Sequence, residues 1–246
     1  MRILMTVLLG AAALGCSSGF NRVSMTESLQ AEQPLVFDDA DVLRVEQTRP
    51  QIQFPIRLAV VPPTMFNHWS AGEPKETEGQ RKEIQTWGEK LRDAGIVSDL
   101  FIIPEILTSQ TRSQSYLKDL RLAAARLQAD AILILRSTTD VDSYSNVLGV
   151  LDLTIIGMFV LPAHQKDALT ILEGVLLDNR NQFVYFAGSA EGIGSTFGPL
   201  ATVKETNAIQ ESRIEALQSF GDLLLKESRR MRDWVPGPLE SSPGQR

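Results

Sequence analysis

Chemistry needs side chains that can attack, shuttle protons or hold charge, and in this chain they are sparse. The serine in GCSSG, Gly15 to Gly19, has the G-x-S-x-G spacing of a hydrolase elbow, which works only between a strand and a helix. No such pattern surrounds it, so the spacing is read as coincidence. His68 and His164 are the two histidines, and an imidazole acts as a general base only beside a placed partner. His164, Asp167 and Glu173, close in sequence, are the one constellation to test as a periplasmic hydrolase or ligand-binding enzyme. GSAEGIGS, Gly188 to Ser195, has the glycine content of a phosphate cradle but lacks its Lys-Ser or Lys-Thr ending; a strand exit with close backbone approach is the simpler reading. DVDSYSN, Asp140 to Asn146, alternates carboxylates like the start of a calcium loop, with no glycine at the sixth place and no closing glutamate. It reads as a strand end facing water. No catalytic residue, metal ligand or cofactor is expected.

The remaining reactive group is the thiol of Cys16, the only cysteine, so no intrachain disulfide can form. It closes the stretch MRILMTVLLGAAALGC, in which one arginine precedes an apolar run from Ile3 to Leu14, the layout of an export signal. That run falls short of the about 20 residues a membrane-spanning helix needs. AALGC resembles the lipobox of bacterial lipoproteins, with Gly15 and Cys16 in place and Ala13 where that family usually has leucine. The resemblance implies diacylation of Cys16 on sulfur and cleavage before it, so that residues 1–15 are a signal peptide. At about 0.8 kcal/mol per buried methylene, three acyl chains such as palmitate would make a lasting membrane anchor. Ser17 after the cysteine resembles lipoproteins sent to the outer membrane, facing the periplasm.

These features must be carried by a folded unit. A chain of 246 residues, 43% hydrophobic and 22% charged, is long enough for one ordinary domain. Its net charge of −6 comes from interspersed acids and bases, which argues against nucleic acid as a partner. Residues 16–55, polar and with only short apolar clusters, read as a flexible tether. The domain is expected over 56–234, and the Pro- and Gly-rich 235–246 as a disordered tail. RLAVVPP, VSDLFIIP and ADAILILRSTTDVDSYS read as strands. Between them, Ile84, Trp87 and Leu91 mark one helix ending at Gly95, and Leu117, Leu120, Ala124 and Leu127 mark another over 113–128. DALTILEGVLLDNRNQFVYFAGSAEG is a hairpin turning at Asp178 to Asn181. A long helix follows from about Thr206 to Trp234, with Ile209, Ile214, Leu217, Leu224 and Met231 on one side and SRIE from Ser212 as a possible capping box. The fold class is α/β: one layered domain with a mixed sheet, β-α-β-α-β, then a β-hairpin, then a long C-terminal helix.

Within this order, residues 146–165 stand out as an almost wholly apolar insert from Val147 to Leu161. In helical register, Leu148, Leu151, Ile155 and Met158 or Phe159 form a stripe, with Asn146 to cap it and Pro162 to stop it. In strand register, Leu151, Leu153, Ile155, Phe159 and Leu161 share a face. The helical pattern is the better one. Core packing, contact with another protein or another copy, and contact with a membrane all suit such a run, and Leu148, Leu151, Ile155, Met158 and Phe159 are the candidate interaction surface.

FPIRLAVVPP, ADAILILRS and LTIIGMFVLPAHQKDALTILEGVLLDNRNQFVYF together resemble the rhombotarget-type lipoproteins and, in element order, the periplasmic domain of the curli secretion channel lipoprotein and the N-terminal domain of the Tol-Pal translocation protein. The resemblance covers about Arg57 to Met231. It implies a non-enzymatic lipoprotein of the bacterial cell envelope that binds other envelope proteins or itself. In the curli channel the insert after the third strand builds a ring-shaped pore, so an oligomeric membrane channel is a further option. Here the insert lacks a matching second strand. The ending PGPLESSPGQR also lacks the Gly-Gly motif, membrane helix and basic residues of rhombotarget sorting.

Overall fold

The computed structural model describes residues 19–30, 39–65, 78–104, 107, 116–145, 164–199 and 204–234. Its helices are α1 (Arg22–Gln30), α2 (Asp39–Glu46), α3 (Glu78–Asp93), α4 (Tyr116–Arg126) and α5 (Glu205–Trp234). Its strands are β1 (Ile56–Met65), β2 (Val97–Ile102), β3 (Ala131–Ser145), β4 (His164–Asp178) and β5 (Val184–Gly198), joined in one sheet in the order β2-β1-β3-β4-β5. β1 runs parallel to β2 and β3, and α3 and α4 lie in the two crossovers that parallel pairing requires. β3–β4 and β4–β5 are antiparallel. The mixed sheet, the late hairpin and the long last helix match the expected α/β class.

Alternation along the strands gives the sheet two apolar faces. On one face, Leu58, Val60, Leu133, Leu135, Leu172 and Leu176 pack with Ile84, Trp87 and Leu91 of α3 and Leu217, Phe220 and Leu224 of α5. Each large side chain buried there stabilises the fold by about 1.5–3 kcal/mol. The opposite face carries two patches. Ala59, Val61, Ile132 and Leu177 meet Leu120, Ala123 and Ala124 of α4. Further along the hairpin, Leu169 and Ile171 meet Met25 of α1.

That last contact departs from the expectation of a loose tether over 16–55. The apolar residues of this stretch are few, but two fall where the sheet offers a site: Met25 is 4% exposed and Ile52 only 2%. Backbone bonds add to this. The Tyr185 hydroxyl accepts from the N–H of Gln51 (2.8 Å) and of Ile52 (3.1 Å) and donates to the Asp178 carboxylate at 2.9 Å. Burial of the phenol, opposed by the two backbone N–H groups and helped by the Asp178 charge, pushes the Tyr185 pKa up to about 12. Asn181 fastens the same segment by donating to the Arg49 carbonyl at 2.7 Å.

The expected capping box at Ser212 is also replaced. α5 begins earlier, at Glu205, and Ser212 is fully buried inside the helix, donating to the Ile209 carbonyl at 2.9 Å. That bond uses its single proton, so the Thr170 hydroxyl donates to Ser212 (2.8 Å) and Thr139 donates to Thr170 (2.9 Å). A one-way polar seam thus stitches β3, β4 and α5. Ile214, expected in the apolar stripe of α5, is instead half-buried beside a surface groove.

Candidate functional site: the far end of the hairpin

β3 and β4 pair over their whole length, from Ala131↔Asp178 at one end to Ser145↔His164 at the other. Residues 146–163 therefore leave and re-enter the sheet side by side at its far end. Leu148, Leu151, Ile155, Met158 and Phe159 lie outside the described residues, as does Cys16. What the structure places is their points of attachment.

The N-terminal attachment is built by strand alternation. Asp140 and Asp142, two apart on β3, point to the face that α1 covers. The Asp142 carboxylate accepts from the Gly19 N–H at 3.1 Å, and the Asp140 carboxylate from the Asn21 N–H at 3.3 Å. Gly19 has φ +68°, a left-handed conformation that glycine adopts without strain. Asn21 then caps α1 by accepting from Ser24 N–H at 3.1 Å, and Arg22 pairs with Glu191 of β5 at 3.3 Å. Asp140 and Asp142, whose spacing resembles a calcium loop, are thus acceptors for an arm of the chain. Among the described residues no group of three or more acids, histidines or cysteines could hold a metal ion.

The arm has a direction. Asn21 sits at the level of Asp140, whose ladder continues through Leu169 to Ile193, and Gly19 at the level of Asp142, which continues through Asp167 to Ser195. Going back from Asn21 to Gly19 moves toward the sheet end where Gln165 pairs with Phe197. Only Ser17 and Ser18 separate Gly19 from Cys16. Ile193 and Phe197, on the face of β5 that α1 leaves uncovered, are 51% and 58% exposed.

His164, Asp167 and Glu173 are not brought together. His164 and Asp167 are three apart on one strand and so point to opposite faces, while Asp167 and Glu173 are separated by about 20 Å of strand at about 3.4 Å per residue. Asp167 instead accepts from the Gln165 side-chain amide at 3.0 Å. The glycine-rich stretch is likewise structural. Gly188, Gly192 and Gly194 lie on β5 against α5, and a Cβ on Gly194 would meet the backbone of Ala208 and Ser212. Close backbone approach is what the glycines provide, though inside β5 and not at a strand exit as expected, since Gly188 to Ser195 pair with β4 throughout.

Two residues escaped sequence reasoning. Glu211 and Glu215, one turn apart on α5, reach past β5: Glu215 accepts from the Ile193 N–H at 2.7 Å and Glu211 from the Ser195 N–H at 3.1 Å. They occupy hydrogen-bond positions that a sixth strand would use. Together with Asn207, Gln210, Ile214 and Gln218 they line an open groove of about 750 Å³. Their i, i+4 spacing was the available signal, but on a helix it reads equally as a solvated face.

No family model and no curated protein matches the sequence. Solved structures with a similar chain path include lipoprotein GNA1162 from Neisseria meningitidis, 17% identical over 57% of this chain and 84% of that one, with a TM-score of 0.32. Protein XCC0632 from Xanthomonas campestris is 11% identical over 76% of this chain and 93% of that one, with a TM-score of 0.35. The C-terminal domain of LpoB from Salmonella enterica is 11% identical over 62% and 90%, with a TM-score of 0.31. Likeness this loose adds nothing to the reading of individual residues. Among the described residues, no helix is long and apolar enough to cross a membrane.

Proposed function

We propose that this chain is a lipid-anchored, non-enzymatic lipoprotein of the bacterial cell envelope, working as a protein-interaction or assembly module. The observation that carries it is Cys16, the sole cysteine, closing an apolar leader with the spacing of a lipobox. Its acylated residue would be the first of the mature protein. Ser17 favours the outer membrane, on its periplasmic side. The resemblance to rhombotarget-type lipoproteins belongs to the same reading, with Leu148, Leu151, Ile155, Met158 and Phe159 as the contact surface for envelope proteins or a second copy. The hydrolase reading loses its basis with the separation of His164, Asp167 and Glu173 along and across β4.

Metabolic labelling with palmitate tests the anchor. The wild-type chain is expected to take label and sediment with membranes, and Cys16→Ala to stay unlabelled and unprocessed. A Cys16→Ala protein of mature size that remains in the membrane fraction would overturn the proposal.

A further inference from the structure

We infer that the folded domain is held directly against a lipid bilayer by its docked N-terminal arm, with the sheet end that carries Phe197 and Ile193 turned toward the lipid. This rests on acylation of Cys16 and adds an orientation and a partner surface to it. From Gly19, fixed at Asp142, the chain back to Cys16 reaches at most about 11 Å at about 3.6 Å per residue. That is too short to carry the domain away from the head groups. The arm points past the last rungs of the sheet, so the acyl chains enter the membrane beyond the Gln165–Phe197 pair. Both attachment points of the apolar run, Ser145 and His164, lie at this same end.

The exposed side chains agree. Phe197 and Ile193 stand on the face the arm runs along. Two such apolar groups gain by entering an interface, each by an amount proportional to the area removed from water.

Acylation consumes the chain's only thiol, so a cysteine introduced elsewhere can be labelled alone. The lipidated full chain, carrying a fluorophore at Phe197→Cys or at Val184→Cys, is reconstituted into phosphatidylethanolamine–phosphatidylcholine vesicles that contain nitroxide lipid. Val184 lies at the opposite end of β5, about 44 Å away at about 3.4 Å per residue. Quenching is expected to be several-fold stronger at 197 than at 184. Asp140→Ala with Asp142→Ala, and separately Gly19→Ala, are expected to bring the two positions toward equal quenching while the protein stays bound and its melting temperature holds. Equal quenching in the bound, acylated wild type, or a ratio unmoved by both arm variants, overturns the clamp and leaves the anchor standing. A chain that never acquires acyl groups fails at the anchor itself, and the orientation falls with it.

Discussion

Removing one oxygen from Tyr185 should loosen both the N-terminal segment and the hairpin. In Tyr185→Phe the N–H groups of Gln51 and Ile52 lose their acceptor, and the fully buried Asp178 loses a donor at 2.9 Å. Gln51 is exposed and turns to water, so its loss is small. Ile52 is 2% exposed, and a buried polar group left without a partner costs about 1–3 kcal/mol. Asp178 keeps the Arg180 N–H at 2.8 Å, which limits the damage at that end. The sum is a destabilisation of about 2–3 kcal/mol, read as a lower urea midpoint with an unchanged m-value. The pH dependence supplies an independent check. The phenol has its pKa raised from 10.0 to about 12, chiefly by burial. The folded state therefore holds its proton more tightly than the unfolded chain, and the stability this contributes is full below pH 10 and lost as pH rises from 10 to 12. Two pH units would amount to about 2.7 kcal/mol; the ring is only half-buried, and solvent screening reduces this to about 1 kcal/mol. Wild type minus variant should show that loss and the variant should lack it. Parallel pH profiles for the two proteins, or a Tyr185→Phe midpoint equal to wild type, would refute the account.

Other perturbations follow from the same contacts. Gly194→Ala should destabilise by about 3 kcal/mol, because the new methyl meets helix backbone that must move; thermal unfolding measures it. Thr170→Val should cost about 1–2 kcal/mol by interrupting the hydroxyl seam between Thr139 and Ser212, and a Thr170→Val/Ser212→Ala double-mutant cycle should show strong coupling. Gly19→Ala should strain the arm by about 1–2 kcal/mol and speed amide exchange around Asn21 and Met25, while the urea midpoint stays put. Glu211→Ala with Glu215→Ala should bare the Ile193 and Ser195 N–H groups and give concentration-dependent self-association in sedimentation velocity beyond that of wild type at the same concentration.

Much of the fold was legible because burial writes itself into apolar runs. AILIL of β3 and the Ile84–Trp87–Leu91 stripe of α3 both become core, and the Asp-Asn pair at the β4–β5 turn lies at the observed bend. α1 was not legible, since its docking depends on one methionine and on backbone N–H groups, which no periodicity reports. Ser212 offered a capping signature that was locally valid, and the tertiary site for its hydroxyl, opposite Thr170, decided the outcome. The carboxylates of Asp140 and Asp142 looked like solvated charge, and those of Glu211 and Glu215 carried no signal that set them apart. Each gained its role from a backbone donor far away in sequence, a pairing that only the assembled sheet creates.

The course of α5 sets a height. The helix starts near Lys166, beside the arm's end of the sheet, and finishes where Arg232 donates to the Ala94 carbonyl at the other end. Thirty residues at about 1.5 Å each make a mast of about 45 Å. On a molecule seated as inferred above, Trp234 rides at the top of that mast, so whatever is joined after it starts its reach well out in the aqueous space, on the side where a partner rooted in a facing layer would be met.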